Sequence, residues 1–370
     1  MGKKKTKLQL AQDETQAAIN KTNEKIDELG TNTSTFYTRL TDIQEAFDAI
    51  RNIPSEKKLQ YEKLKEIRLD WKQQAEKIEK DYNNAKVKNV GAGAAGAGLG
   101  VAVVTMGPTV AMGFATTFGV ASTGTAISTL SGAAATNAAL AWLGGGALAA
   151  GGGGMAAGNA FLALAGPVGW AIAGVALLTS GIFFWKNLSD KKHIEEVFAL
   201  ISKRDVTSYE LAIVELNERI ERIIDESGKL SEAIEDIKTF GLNYDAMSEN
   251  QQYSLGSYVN LMSSSTQLLV NPILGLQPKY SDADFDYFIA QEKDEEKAKG
   301  YKDYKNLIVS LANFLFNIDL NERDKKLLWK SLRRNKKMLK AMDVKKKEFS
   351  EDIIDAAMSA LKLKYSTAEA

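Results

Sequence analysis

An all-α fold is predicted by three observations. Leu and Ile recur at spacings of three and four over long stretches on both sides of the chain's centre, no credible strand series appears, and 97 consecutive residues, Asn89 to Trp185, contain no Asp, Glu, Lys, Arg or His. Together they predict a long coiled-coil or helical-bundle stalk carrying a central Gly/Ala-rich membrane-inserting helical module. The chain divides into four regions: residues 1–88, N-terminal amphipathic helices; 89–185, the uncharged module; 186–241, one long heptad helix; and 242–370, a C-terminal helical bundle. No repeat of 20 to 50 residues is present.

The basic start, Met1-Gly2-Lys3-Lys4-Lys5-Thr6-Lys7, is followed by polar residues instead of an apolar core, so no secretory signal peptide is expected. Met1 to Thr6 fits the loose N-myristoylation pattern and equally an ordinary solvated terminus. Residues 6–29 read as a weak polar helix, with Gly30 as its stop and Thr31 to Thr35 opening the next. Phe36, Leu40, Ile43, Phe47 and Ile50 then keep 4, 3, 4, 3 spacing, the seam of a helix packed along a partner. Pro54 interrupts, Ser55 is a plausible N-cap, and Leu64, Ile67, Trp71, Ile78 and Tyr82 continue a near-heptad seam.

The uncharged region holds 22 of the 29 glycines. Each glycine costs a water-exposed helix roughly 0.8 to 1 kcal/mol relative to alanine, whereas between membrane helices small residues permit close approach. A span needs about 20 apolar residues, so the region has length for as many as four. Leu162 to Trp185 is the strongest span, and Phe183, Phe184, Trp185 and Lys186 form an interfacial belt at its end. Leu99 to Val120 is a second, kinked at Pro108. In a third, Ala138 to Phe161, Gly146, Ala150, Gly154 and Gly158 recur every four residues as a helix-packing ladder. Between these, Ser122, Thr125, Thr129 and Thr136 share a helical face opposite Ile127 and Leu130 and are the candidate pore lining; as hydroxyls they equally suit a loop. Ala and Gly drive insertion only weakly, which makes the region a marginal inserter suited to storage in water and later release. Lys80, Lys86 and Lys88 before it, and Lys186, Lys191 and Lys192 after it, place both flanks on one side and imply two or four crossings.

Beyond the uncharged region, Ile194, Val197, Ile201, Ile213, Leu216, Ile220, Ile223, Leu230, Ile234 and Ile237 predict one helix from about Asp190 to Phe240, stopped at Gly241. Its expected partner is Ser55 to Lys88, running antiparallel. Helices are then expected around Ser254 to Val270, Tyr301 to Ile318, Glu322 to Met342 and Phe349 to Leu363, with a compact core near Phe314, Phe316, Leu327, Leu328 and Trp329.

Chemistry is mostly excluded. Lys+Arg 47 balance Asp+Glu 47, so no net charge favours nucleic acid. Absent cysteine removes disulfides, thiolate nucleophiles and Cys-ligated zinc. Gly91, Gly93 and Gly96 match GxGxxG, but Lys and Asn precede them and the next acid is Asp190, so the match reflects composition; GxxxxGK[ST] is absent. His193, the single histidine, is read as an interfacial helix residue, with a pH switch as the sharper alternative. Asp282, Asp284 and Asp286 begin like a calcium loop, yet Tyr287 and Lys293 stand where Gly and Glu are needed, so a solvated turn is expected. Basic runs at Arg333 to Lys337 and Lys345 to Lys347 suit a wet helix face or anionic headgroups. No enzymatic activity, catalytic residue, metal or cofactor is expected.

In layout, long helices either side of an apolar segment, the chain resembles the helical pore-forming toxins of the cytolysin A and tripartite haemolysin type. The run from Ser128 to Gly158, with Leu130-Ser131-Gly132, Trp142-Leu143-Gly144-Gly145-Gly146 and Gly152-Gly153-Gly154-Met155, resembles the glycine-rich membrane segment of interferon-inducible small membrane proteins. The first resemblance implies oligomeric pores and the second membrane residence. The expectation is a membrane-permeabilising toxin or self-directed defence effector, cytoplasmic before insertion and integral afterwards. Its partners would be a lipid bilayer, further copies of itself, and a protein partner through the coiled coil. The alternative is a constitutive multispan anchor or scaffold.

Overall fold

Phe36, Leu40, Ile43, Phe47 and Ile50 form one buried line, and the helix that carries them is longer than its apolar seam. A computed structural model describes residues 7–90, 188–270, 279–280, 282–334, 339 and 344–366. Helix α1 spans Lys7–Asp48 without interruption, so the stop expected at Gly30 is absent. Within the polar run that suggested it, side chains bond back along the helix: Asn32 donates to the Glu28 carbonyl (2.8 Å) and Thr38 to that of Ser34 (3.1 Å). Such back-bonding is slightly unfavourable to a helix, and burial of Leu29, Thr33 and Phe36 supplies the packing that holds the run helical.

After α1 come α2 (Ser55–Val90) and α3 (Leu188–Thr239), then α4 (Glu249–Val270). At 52 residues, α3 is about 78 Å long. α1 and α3 run parallel, because both end at one place: the Arg51 N–H donates to the Leu242 carbonyl (2.9 Å) and the Tyr244 N–H to that of Arg51 (3.0 Å), an isolated parallel bridge. Two positive-φ residues make this junction, Gly241 (81°) ending α3 and Asn52 (63°) turning the chain toward α2.

α2 is antiparallel to α1, as the pairings Phe47 with Tyr61 (5.2 Å between rings), Asp48 with Lys65 (3.1 Å) and Tyr37 with Trp71 (5.8 Å) show. α4 is antiparallel to α3: Tyr258 donates to Asp236 (2.6 Å), Ser265 to Glu226 (2.6 Å), and Arg219 to the Leu268 carbonyl. The long helix therefore takes α1 as its main partner, in place of the expected antiparallel residues 55–88. α1 wins because its seam offers Phe36, Leu40, Ile43 and Phe47, each burial worth roughly 1.5–3 kcal/mol, while the described part of α2 buries Tyr61, Arg68 and Trp71.

A second core forms where Ile194, Val197, Phe198 and Ile201 on α3 meet the C-terminal helices. These are α5 (Asp282–Gln291), α6 (Glu295–Asp303), α7 (Lys305–Leu315), α8 (Glu322–Leu332) and α9 (Asp352–Ser366). The single helix expected over 301–318 breaks at Tyr304 and stops at Phe316, where Asn317 adopts φ 57°. The helix expected over 322–342 is shorter, closing at Arg333, whose guanidinium stacks on Trp329 and donates to the Lys346 carbonyl (2.8 Å). Asp294 and Asn321 cap α6 and α8, each accepting backbone N–H bonds. Asn313 pins Tyr280 in both directions, accepting from its N–H (2.9 Å) and donating to its carbonyl (2.7 Å).

Candidate functional site

The sequence-predicted residues Ser122, Thr125, Thr129, Thr136, Gly146, Ala150, Gly154, Gly158, Phe183, Phe184, Trp185 and Lys186 lie outside the described residues. No helix among the described residues is long and apolar enough to cross a membrane. What is described is the frame that holds the two ends of the uncharged region. Since α2 runs against α1 and α3 runs with it, α2 leads into that region and α3 leads out of it at the end of the bundle remote from the Arg51–Asn243 bridge.

At this end the first turns of α3 are clamped by α8. Arg323 donates to Ser189 (3.1 Å) and to the Asp190 carboxylate (2.9 Å), and lies 3.3 Å from Nε2 of His193, whose Nδ1 is 3.6 Å from Asp324. His193 is thus tied to the C-terminal helices through Arg323 and Asp324.

One turn beyond Ile201 sits a buried ion pair. Asp205 is fully buried and accepts twice through one oxygen from Arg204 (2.6 and 2.9 Å), while its other oxygen has no partner. Burial raises the carboxyl to about 6 despite the guanidinium, which pulls the other way. The neighbouring Tyr209 hydroxyl is also pushed up, by burial first and then by Asp205. Arg204 in turn donates to the carbonyls of Phe314 (3.0 Å) and Phe316, closing the end of α7 onto α3. A single guanidinium therefore joins α3, its buried carboxylate and the C-terminal lobe.

Comparison with known proteins finds no matching family model, curated protein or solved structure.

Arg68 is the second buried charge. It is 3% exposed and donates to Gln44 on α1 (3.2 Å), while its Nη1 has no partner. Burial lowers its pKa, and the Tyr37 and Asp48 side chains partly offset this. Periodicity singles out neither buried charge, though a signal exists. Asp205 falls in the gap between Ile201 and Ile213 on the apolar line of α3, and Arg68 comes one heptad after Tyr61.

The three aspartates expected to form a turn lie on α5 instead. Asp284 pairs with Lys364 (2.7 Å) and Asp286 with Lys305 (2.8 Å), so those two carboxylates diverge toward separate helices. Among the described residues no group of three or more His, Cys, Asp or Glu is arranged to hold a metal ion.

Proposed function

We propose that the chain is a non-enzymatic, membrane-permeabilising protein, a toxin or self-directed defence effector whose charged helices form a stalk for residues 89–185. Ninety-seven residues without a charge, held between two helices that leave and re-enter the bundle at one end, support this reading. With both flanks on one side, two or four crossings satisfy the basic residues that border the region. Copies of the chain assemble in the bilayer, and the small-residue ladder Gly146, Ala150, Gly154 and Gly158 packs the spans.

The test is partition of the full chain with and without liposomes, then carbonate extraction and dye release. A conditional permeabiliser starts soluble, becomes carbonate-resistant on mixing and releases dye. A chain that is carbonate-resistant in cells throughout and releases no dye is a constitutive anchor, and the proposal fails. Gly154→Leu with Gly158→Leu raises apolarity but separates the spans, so dye release should fall while partition persists. Cysteine scanning of this cysteine-free chain then asks whether Thr125 and Thr129 line the opening, with Ile127 and Leu130 as the protected controls.

A further inference from the structure

A groove of about 660 Å³ runs between α3 and the turn after α7. Leu200 and Leu211, 55% and 65% exposed, form its apolar α3 wall, and Phe316 and Ile318 face them across it. Phe316 is held in place by Tyr365, whose ring lies 5.2 Å away. Lys203 stands on the exposed side of α3 and Lys279 on the opposite rim, and neither ammonium makes a hydrogen bond or ion pair with the described residues. The backbone of Lys279 is fixed, its carbonyl accepting from Lys364 (2.8 Å) and Tyr365 (3.0 Å). One carboxylate, the exposed Asp319, lines the groove.

The volume is that of a small-molecule site, in the range of about 300–1,000 Å³, and its lining is amphiphilic: an apolar trough with two ammonium groups on its rims. Neither class of group explains itself by packing. Exposed leucines on a helix that has buried its other face lose nothing by being polar, and the lining carries two unpaired ammonium groups against one carboxylate, a balance that favours an anion. A purely polar anion would leave the trough wet, and a neutral apolar chain would leave the ammonium groups unused.

We propose that this groove binds a single-chain anionic amphiphile, an acyl chain bearing one carboxylate or phosphate. The chain lies against Leu200, Leu211, Phe316 and Ile318, and the head sits between Lys203 and Lys279. Because Arg204 forms part of the floor and holds the Phe314 and Phe316 carbonyls, an occupant also fastens the C-terminal lobe to α3. This site stands apart from the membrane reading of residues 89–185, since every residue in it belongs to the folded body.

Isothermal titration of the detergent-free full chain with decanoate below its micellar concentration tests it, with decyl glucoside and acetate as tail-only and head-only probes. One decanoate should bind saturably, with both controls weaker by at least about tenfold. Lys203→Ala with Lys279→Ala, and separately Leu200→Ser with Leu211→Ser, should each weaken decanoate by a similar factor. Leu200, Lys203 and Leu211 are exposed and Lys279 is half-buried, so an unchanged thermal transition is expected in both variants; a variant that melts early is replaced by Lys203→Gln or Leu211→Gln alone. Equal binding of decyl glucoside, or decanoate binding indifferent to both variants, overturns the proposal. Binding to vesicles of anionic diacyl lipid with none to monomeric decanoate also overturns it, in favour of a headgroup surface.

Discussion

α1 and α2 are consecutive helices of 42 and 36 residues that pack into the same bundle, yet they meet it through different surfaces. Along α1 the line Leu29, Phe36, Leu40, Ile43, Phe47 and Ile50 is buried and uncharged, and it faces Leu216, Ile220, Ile223, Leu230 and Ile237 on the parallel α3. Along the described part of α2 the buried line is Tyr61, Arg68 and Trp71, a guanidinium between two aromatics, while Leu59 and Leu69 point outward. Removing a guanidinium from water costs several kcal/mol unless it is paired and fully hydrogen-bonded, and Arg68 has one amide oxygen for the purpose. The contrast separates an apolar contact from one that buries a charge. α1 and α3 meet through an apolar seam, whereas α2, the helix that leads directly into the uncharged region, carries a buried guanidinium with one amide acceptor.

The severest challenge to this contrast is a charge placed where α1 and α3 have none. Ile220→Asp puts a carboxylate in a site 3% exposed, and a loss on the order of 3–5 kcal/mol is expected in denaturant unfolding. A loss below about 1 kcal/mol would show that the seam is not tightly packed.

Asp205 offers the next largest effect, read through pH. Its folded-state pKa of about 6 lies above its ordinary value of 3.8, so the folded chain binds this proton more tightly than the unfolded chain does. The associated stability is fully present below about pH 4 and is lost as pH rises through 6. Between wild type and Asp205→Asn, the difference in unfolding free energy should change by on the order of 3 kcal/mol from pH 7 to pH 4, wild type gaining on acidification. Parallel pH profiles for the two chains would show that the carboxyl is solvated.

Arg68→Met probes the same contrast from the side of α2. Removing the buried guanidinium frees its desolvation cost and leaves the Gln44 oxygen short of a donor, so a net gain of about 1 kcal/mol is expected. Hydrogen exchange should report it as slower opening of α2, with α1 and α3 unchanged. If α2 instead exchanges faster in the variant, Arg68 is a net anchor. The smallest effect belongs to Leu59→Ser, on the outer face of α2 at 53% exposure, where a thermal-unfolding change within about 0.5 kcal/mol is expected.

Which of these features the sequence announces depends on what periodicity records. It records which residues share a face, so the α1 line and the α3 line, with its glycine stop at Gly241, can be read residue by residue. It does not record which face meets which, and for that reason the partner of α3 differs from the expected one. Threonines that bond to their own helix look like a cap run in sequence, which hides the continuity of α1 at Gly30. On α2 the expected line of Leu64, Ile67 and Trp71 runs beside the observed one; Leu64 and Ile67 are half-buried, and Arg68 takes the core position. A charge on a buried line is read as a surface residue unless its neighbours one heptad away are already known to be inside. The candidate lining and packing residues between Ser122 and Gly158 rest on spacing alone.

The pairing of α1 with α3 also sets an order of events during synthesis. The last turn of α3 is made about 190 residues after the last turn of α1, which at roughly 5–20 residues per second is an interval of about 10 to 40 s. For that time the α1 seam has no complete partner, and the whole uncharged region emerges before α3 exists. The interval in which the α1 seam and a 97-residue uncharged stretch are both made without α3 is the aggregation-prone part of this chain's synthesis.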